Sequence, residues 1–199
     1  MSAAVIMYDG YVSRWSPDTR GRLEQAAFEL FRDHGYEKTT VADIAKRAGL
    51  TERTFFRHYT DKREVLFGGA ATLQSELLRA VGDLPPELPT FAAVRAAVEA
   101  LCAFMHGRRE HACERQRVVD THADLQEREL IKRATLTAAL AEALKKRGTP
   151  NLTASLVADM GIGVFYVAFA RWLEDAADRE LVEIVREGFD QLKSVASGA

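Results

Sequence analysis

From Arg20 onward the apolar positions Leu23, Ala26, Ala27, Leu30 and Phe31 recur at three- and four-residue spacing, with polar residues between them. That period lines one face of an amphipathic helix, which Gly35 is suited to end. Val41, Ile44, Ala45 and Ala48 repeat the pattern for barely two turns before Gly49. Thr40 with Asp43 three residues later forms a capping box, with a shorter acid than usual. Thr51 is placed to cap a third helix, running to about Tyr59. Two short helices joined by a tight glycine-containing turn, behind a longer one, spell a helix-turn-helix.

Longer helices follow. Asp61 is expected to cap a helix over roughly 62–81, broken by GDLPPELP, and Thr90 to cap the next, FAAVRAAVEALCAFMHG. The pattern predicts further helices at about 109–119, 124–147, 152–174 and 178–195. About nine helices and no strand make an all-α fold. The expected organisation is an N-terminal extension (1–18), a helix-turn-helix domain (19–66) and a helical C-terminal domain (67–199).

Composition narrows the class. The 199 residues are 47% hydrophobic, enough for a real core, and the 2 cysteines fit a reducing compartment rather than a disulfide scaffold. MSAAVIMYDGYVSRW lacks the basic start and apolar core of a signal peptide. The uncharged run MGIGVFYVAFA lies between Asp159 and Arg171 and falls short of the roughly 20 residues of a membrane span. A soluble, cytoplasmic protein without a membrane partner is expected. Net charge is -2, yet between residues 46 and 63 six cations (Lys46, Arg47, Arg53, Arg57, Lys62, Arg63) face two carboxylates, Glu52 and Asp61. A polyanion reader leaves such a footprint; so does a solvated helix face.

The stretch LTERTFFRHYTDK mixes rings and cations because a recognition helix must be seated on one side and read on the other. Phe55 and Tyr59, four apart, are expected to face inward. Glu52, Arg53, Phe56 and Arg57 then project outward, and Thr51 and Thr54 lie near the N-terminal end, where hydroxyls and N–H groups suit phosphate. Arg20 and Arg22 are further candidates for phosphate contact.

The order T-T-V-x-D-I-A-x-x-A-G-L-T-x-x-T-F-F-R-H-Y-x-D-K, from Thr39 to Lys62, resembles the DNA-binding domain of the TetR family of transcriptional repressors, as does A-A-x-x-L-F-x-x-x-G-Y from Ala26 to Tyr36. The resemblance covers the first third of the chain. It implies a DNA-binding set of Thr40, Thr51, Glu52, Arg53, Thr54, Phe56, Arg57, His58 and Lys62. Within it, Thr40, His58 and Lys62 would touch the backbone, and Thr51 to Thr54 would read bases. Phe56 departs from the family's usual tyrosine and leaves only ring packing; Ala42 offers apolar contact where some members carry an arginine.

The resemblance further implies a homodimer on double-stranded operator DNA and a helical domain that binds a small, largely apolar effector. Candidate pocket residues are Cys102, Phe104, Met105, Val118, Phe165, Phe169 and Trp172. Arg115 to Gly148 is similar to effector domains of actinobacterial members. The penultimate helix is apolar nearly all round and must be covered on every side. Leu156, Met160, Val164 and Val167, with Ile184 and Phe189 from the last helix, are therefore expected at the dimer interface. Gly161 and Gly163 would allow close approach there, or within one chain.

Cys102, His106, His111, Cys113, Asp120 and His122 lack paired CxxC or HExxH spacing, so neither a metal nor a cofactor is expected. The leading expectation is a ligand-responsive transcriptional regulator, in the sense of a repressor, and not an enzyme. The alternatives are an all-helical enzyme using that central group, or an oligomerisation protein whose head binds no DNA.

Overall fold

The computed structural model describes residues 19–198, so the segment read as an N-terminal extension lies outside the described residues. Among these residues there are ten helices and no strand. The chain divides after Val65 into two compact units, the second beginning at Leu66.

The first unit contains α1 (Thr19–His34), α2 (Val41–Arg47), α3 (Glu52–His58) and most of α4 (Lys62–Leu66). Its core is the stripe read from the sequence: Leu23, Ala27 and Phe31 of α1 meet Ile44 of α2 and Phe55 of α3, each 4% exposed or less. Full burial of the leucine, isoleucine and phenylalanine side chains stabilises by about 1.5–3 kcal/mol each. That burial offsets the poor intrinsic stability of seven-residue helices such as α2 and α3.

The second unit holds α5 (Ala70–Asp83), α6 (Thr90–Met105), α7 (Arg109–Asp120), α8 (Ala123–Lys146), α9 (Asn151–Glu174) and α10 (Leu181–Ala196). The single helix expected over 62–81 is thus two. Asp61 does cap its start, accepting from the N–H groups of Arg63 and Glu64 at 2.8 and 3.2 Å. Gly68 and Gly69, poor helix formers, then fall in the turn that ends α4. Thr90 does not cap α6; the helix enters from Pro89, and the Thr90 hydroxyl bonds that of Thr149 at 3.1 Å.

One core runs through α5, α6, α8, α9 and α10, with Leu101, Leu140, Ile162 and Phe189 fully buried. α9 is long and apolar enough to cross a membrane by length and composition, but Asp159 would lie within such a span, and its inward face is committed to this core. Gly161 faces inward, where a Cβ would run into Val94 of α6; Gly163 faces outward and only half-buried. Ile184 and Phe189, expected at the dimer surface, are taken up by the chain's own core at 2% and 0% exposure, with Phe189 edge-on to Phe91 at 5.9 Å. On amphipathic α10 they share the inward stripe with Leu181 and Val185, leaving Gly188, Leu192 and Val195 outward. Leu156 and Val167 remain 61% and 65% exposed, Met160 and Val164 half-buried. A groove of about 560 Å³ opens along this face.

The residues read as pocket lining divide. Cys102, Phe165 and Trp172 belong to the closed core, and Phe104, Met105, Val118 and Phe169 stay half-buried. Phe165, Phe169 and Trp172 form a column along α9 with ring centres 6.0 and 5.8 Å apart. Phe104 carries the Arg108 guanidinium at 4.1 Å.

Candidate nucleic-acid interface

α2 and α3 are fixed at their N-termini by threonines. The Thr40 hydroxyl accepts from the Asp43 N–H at 3.2 Å, and the Asp43 carboxylate accepts from the Thr40 N–H at 3.0 Å and its hydroxyl at 2.6 Å. These bonds, the hydroxyl's first, hold the Asp43 carboxyl below its ordinary range. Thr51 accepts from the Thr54 N–H at 3.2 Å, and the two hydroxyls share a bond at 3.0 Å. Between the helices Gly49 has φ +67°, a left-handed conformation that glycine adopts without a Cβ penalty. Leu50 N–H closes the turn on the Ala45 carbonyl at 2.8 Å.

α3 is seated by Phe55 and Tyr59, 0% and 4% exposed. With that side committed, Glu52, Arg53, Phe56, Arg57 and His58 stand outward and exposed, as do Thr40 and Thr51; Thr54 is half-buried. Phe56 is 54% exposed and braced edge-on against Phe55 at 5.5 Å, so a large ring is held in water by a buried neighbour. The cations of this region sort into two kinds. Arg47 is tied to Glu29 at 3.0 Å and Arg63 to Asp61 at 2.8 Å. Arg53 and Arg57 have no hydrogen-bond or ion-pair partner among the described residues. Two unpaired guanidiniums against the one carboxylate of Glu52 therefore leave a surplus of positive charge on the outward face of α3.

Three side chains that the sequence offered to phosphate are used otherwise. Lys62 points inward, its ammonium donating to the carbonyls of Tyr36, Glu37 and Thr39 at 2.8, 3.3 and 3.2 Å and lying 4.3 Å from the Tyr36 ring centre. An ammonium has three N–H bonds, and this loop takes all three. Arg22 donates to the Ala48 carbonyl and so braces the turn from α1. Arg20 donates to the Tyr59 hydroxyl at 3.1 Å, and that hydroxyl donates to Glu24 at 2.6 Å. Sequence reasoning took Tyr59 for plain core. Its phenol ties α3 to α1, a role signalled only by the polar atom that a phenylalanine would lack.

A two-turn helix anchored by buried rings, steered by a capped neighbour and presenting unpaired arginines outward, is the reading element of a helix-turn-helix DNA-binding regulator. Residues 24–67 match the family model for bacterial regulatory proteins of the tetR family, and residues 88–197 match the model for the MftR C-terminal domain. The chain belongs to the TetR family of transcriptional regulators. It is 27% identical over 186 residues, 92% of this chain and 93% of the relative, to MftR of Mycobacterium tuberculosis, which is named as a transcriptional regulator of mycofactocin biosynthesis. Among solved structures it resembles the fatty acid degradation regulator FadR of Bacillus halodurans, with TM-score 0.62 and 17% identity over 86% of this chain and 96% of that one. FadR of Bacillus subtilis, solved in complex with stearoyl-CoA, gives TM-score 0.61 and 16% identity with the same coverages.

Proposed function

We propose that this chain acts as a homodimer on a palindromic operator, represses from it, and is released by a small, largely apolar effector. The outward face of α3 carries the reading: Arg53, Arg57 and Phe56 are exposed on a seated helix, with no partner for either guanidinium among the described residues. Arg57 and His58 meet the phosphate backbone. Thr51, Glu52, Arg53 and Thr54 face base edges in the major groove, where a guanidinium suits guanine and a carboxylate suits the amino group of cytosine. Thr40 brings the N-terminus of α2 to phosphate rather than donating itself, because its own N–H and hydroxyl are engaged in the cap. The Phe56 ring packs on sugar or a thymine methyl. A regulator of this kind works at the chromosome, hence in the cytoplasm.

The outward stripe of α9, with Leu156 and Val167 exposed and Met160 and Val164 half-buried, is with Leu192 and Val195 of α10 the surface a second copy would cover. Dimeric reading requires two α3 helices about 34 Å apart, one turn of duplex. An effector lodged among Phe104, Met105, Val118 and Phe169, the half-buried apolar groups beside the core, would favour a repacked second unit. Release follows if that packing holds the heads at another spacing, because a ligand shifts a population by its difference in affinity for the two states.

Selection of bound duplexes from a random pool tests the reading. Recovery of an inverted repeat, with affinity falling steeply as salt rises, is expected. Failure to enrich any duplex at low salt sinks it.

A further inference from the structure

The outward stripe of α9 contains one charge. Between Asn151 and Ala170 the only carboxylate, lysine, arginine or histidine is Asp159, and it is exposed. Around it lie Leu152, Leu156 and Leu130, exposed by 74%, 61% and 64%. From α8, Arg133 reaches across toward α9. Its guanidinium lies 4.9 Å from the ring centre of Tyr166, and a Cβ on Gly163 would stand 4.0 Å from its Nη2. Arg133 and Asp159 line one groove of about 360 Å³ between α8 and α9. Neither has an ion-pair or hydrogen-bond partner among the described residues. Glu129, one turn before Arg133, is already taken by Arg115 at 2.8 Å. Two opposite charges thus stand unpaired in one largely apolar surface, and covering that surface costs their desolvation unless the covering partner completes them.

A second copy of this chain supplies both complements. Among the outward positions of α9, Gly163 is the smallest, and two antiparallel α9 helices related by a two-fold axis approach most closely near such a residue. With the axis at the level of Gly161 to Gly163, Asp159 is carried to the level of residues 163–167 of the other helix. It arrives on the flank that faces α8, because a two-fold axis matches like flanks. That is where Arg133 lies, over Tyr166 and beside Gly163.

We propose that Arg133 of each protomer pairs with the partner's Asp159, giving two equivalent ion pairs that set the register of α9 on α9 and select this chain's own copy over other apolar helix pairs. The inference rests on the homodimer reading above. Close charge pairs at interfaces contribute specificity chiefly because a wrong partner meets like charge.

Charge reversal in the full chain tests it, with oligomeric state followed by sedimentation and native mass spectrometry, and circular dichroism used to confirm helicity. Arg133→Glu and Asp159→Lys should each raise the dimer dissociation constant by about tenfold or more. Arg133→Gln and Asp159→Asn, which remove attraction without adding repulsion, should do so less. Mixing the two reversed chains should restore dimers, with the mixed species well above its statistical share. Reversals that leave dimerisation unchanged overturn the pair while the homodimer stands. Restoration only when both reversals share one chain assigns the pair within a protomer and overturns it too. A wild-type chain that stays monomeric overturns the homodimer reading, before any variant is made.

Discussion

The ammonium of Lys62 stands 4.3 Å from the ring centre of Tyr36 and 2.8 Å from the carbonyl oxygen of the same residue. A lysine at the start of α4 thereby stitches the loop after α1 to the far end of the reading head, donating to the carbonyls of Tyr36, Glu37 and Thr39. Lys62→Met, which keeps the stem and removes the charge, should destabilise the first unit by about 1–2 kcal/mol. Thermal or urea unfolding measures this. The salt dependence of duplex binding tells positioning from phosphate contact: its slope should stay as in wild type. A slope shallower by about one would return Lys62 to the phosphate.

Arg57 and Phe56 should separate electrostatics from ring contact. Arg57→Ala leaves α3 seated, since Phe55 and Tyr59 supply the anchor. It should weaken binding to a selected duplex and to unrelated duplexes alike, by about tenfold at low salt, with a shallower salt slope. Phe56→Tyr adds a hydroxyl to a ring already 54% exposed, so stability should change by less than about 0.5 kcal/mol. Affinity for the selected duplex should hold or rise. A clear loss on Phe56→Tyr would show the ring edge pressed against an apolar group.

The capped turns and apolar stripes of the head were legible in the sequence because their causes are local. Thr40, Asp43, Gly49 and Thr51 act within four residues of themselves, and the period of Leu23 to Phe31 needs no knowledge of what lies opposite. What was not legible depends on long side chains and distant partners. Nothing near Lys62 announces that Tyr36, Glu37 and Thr39 will turn their carbonyls toward it, and Arg22 meets Ala48 across 26 positions. Apolar periodicity likewise could not separate the two faces of the α9–α10 pair. Ile184 and Val164 carry similar side chains, yet the packing of the second unit buries the first and leaves the second half-open.

Gly161 and Gly163, two residues apart on α9, face opposite surroundings and should respond oppositely to alanine. At Gly161 a methyl group meets the branched Val94 of α6, which is fully buried and has nowhere to go. Gly161→Ala should cost about 1–3 kcal/mol by overpacking. At Gly163 the nearest atom is the far end of the Arg133 side chain at 4.0 Å, so alanine fits and its better helix propensity stabilises the protomer by up to about 1 kcal/mol. Chemical denaturation of both variants at low protein concentration checks the contrast. Equal losses would mean that Gly163 is as closely packed as Gly161.

Cys102 gives the second unit an alkaline limit. Its thiol is 4% exposed, donates to the Val98 carbonyl at 3.2 Å, and is pushed up to about 12, chiefly by burial and then by the nearby Glu99 carboxylate. The unfolded thiol titrates near 9.0. Above that pH the unfolded chain loses a proton that the folded chain retains, so protonation favours the folded state less with each step upward. The contribution is therefore complete below about pH 9 and is lost as pH rises toward the folded value. Stability measured by urea unfolding should fall between about pH 9 and 11, and Cys102→Ala should flatten that fall while costing some stability at every pH through lost packing. Reaction with an alkylating reagent at pH 8 supplies an independent check, since the thiolate is the nucleophile. In the folded chain Cys102 should stay unmodified until urea opens the unit, and rapid native labelling at Cys102 would show that α6 opens far more readily than its packing implies.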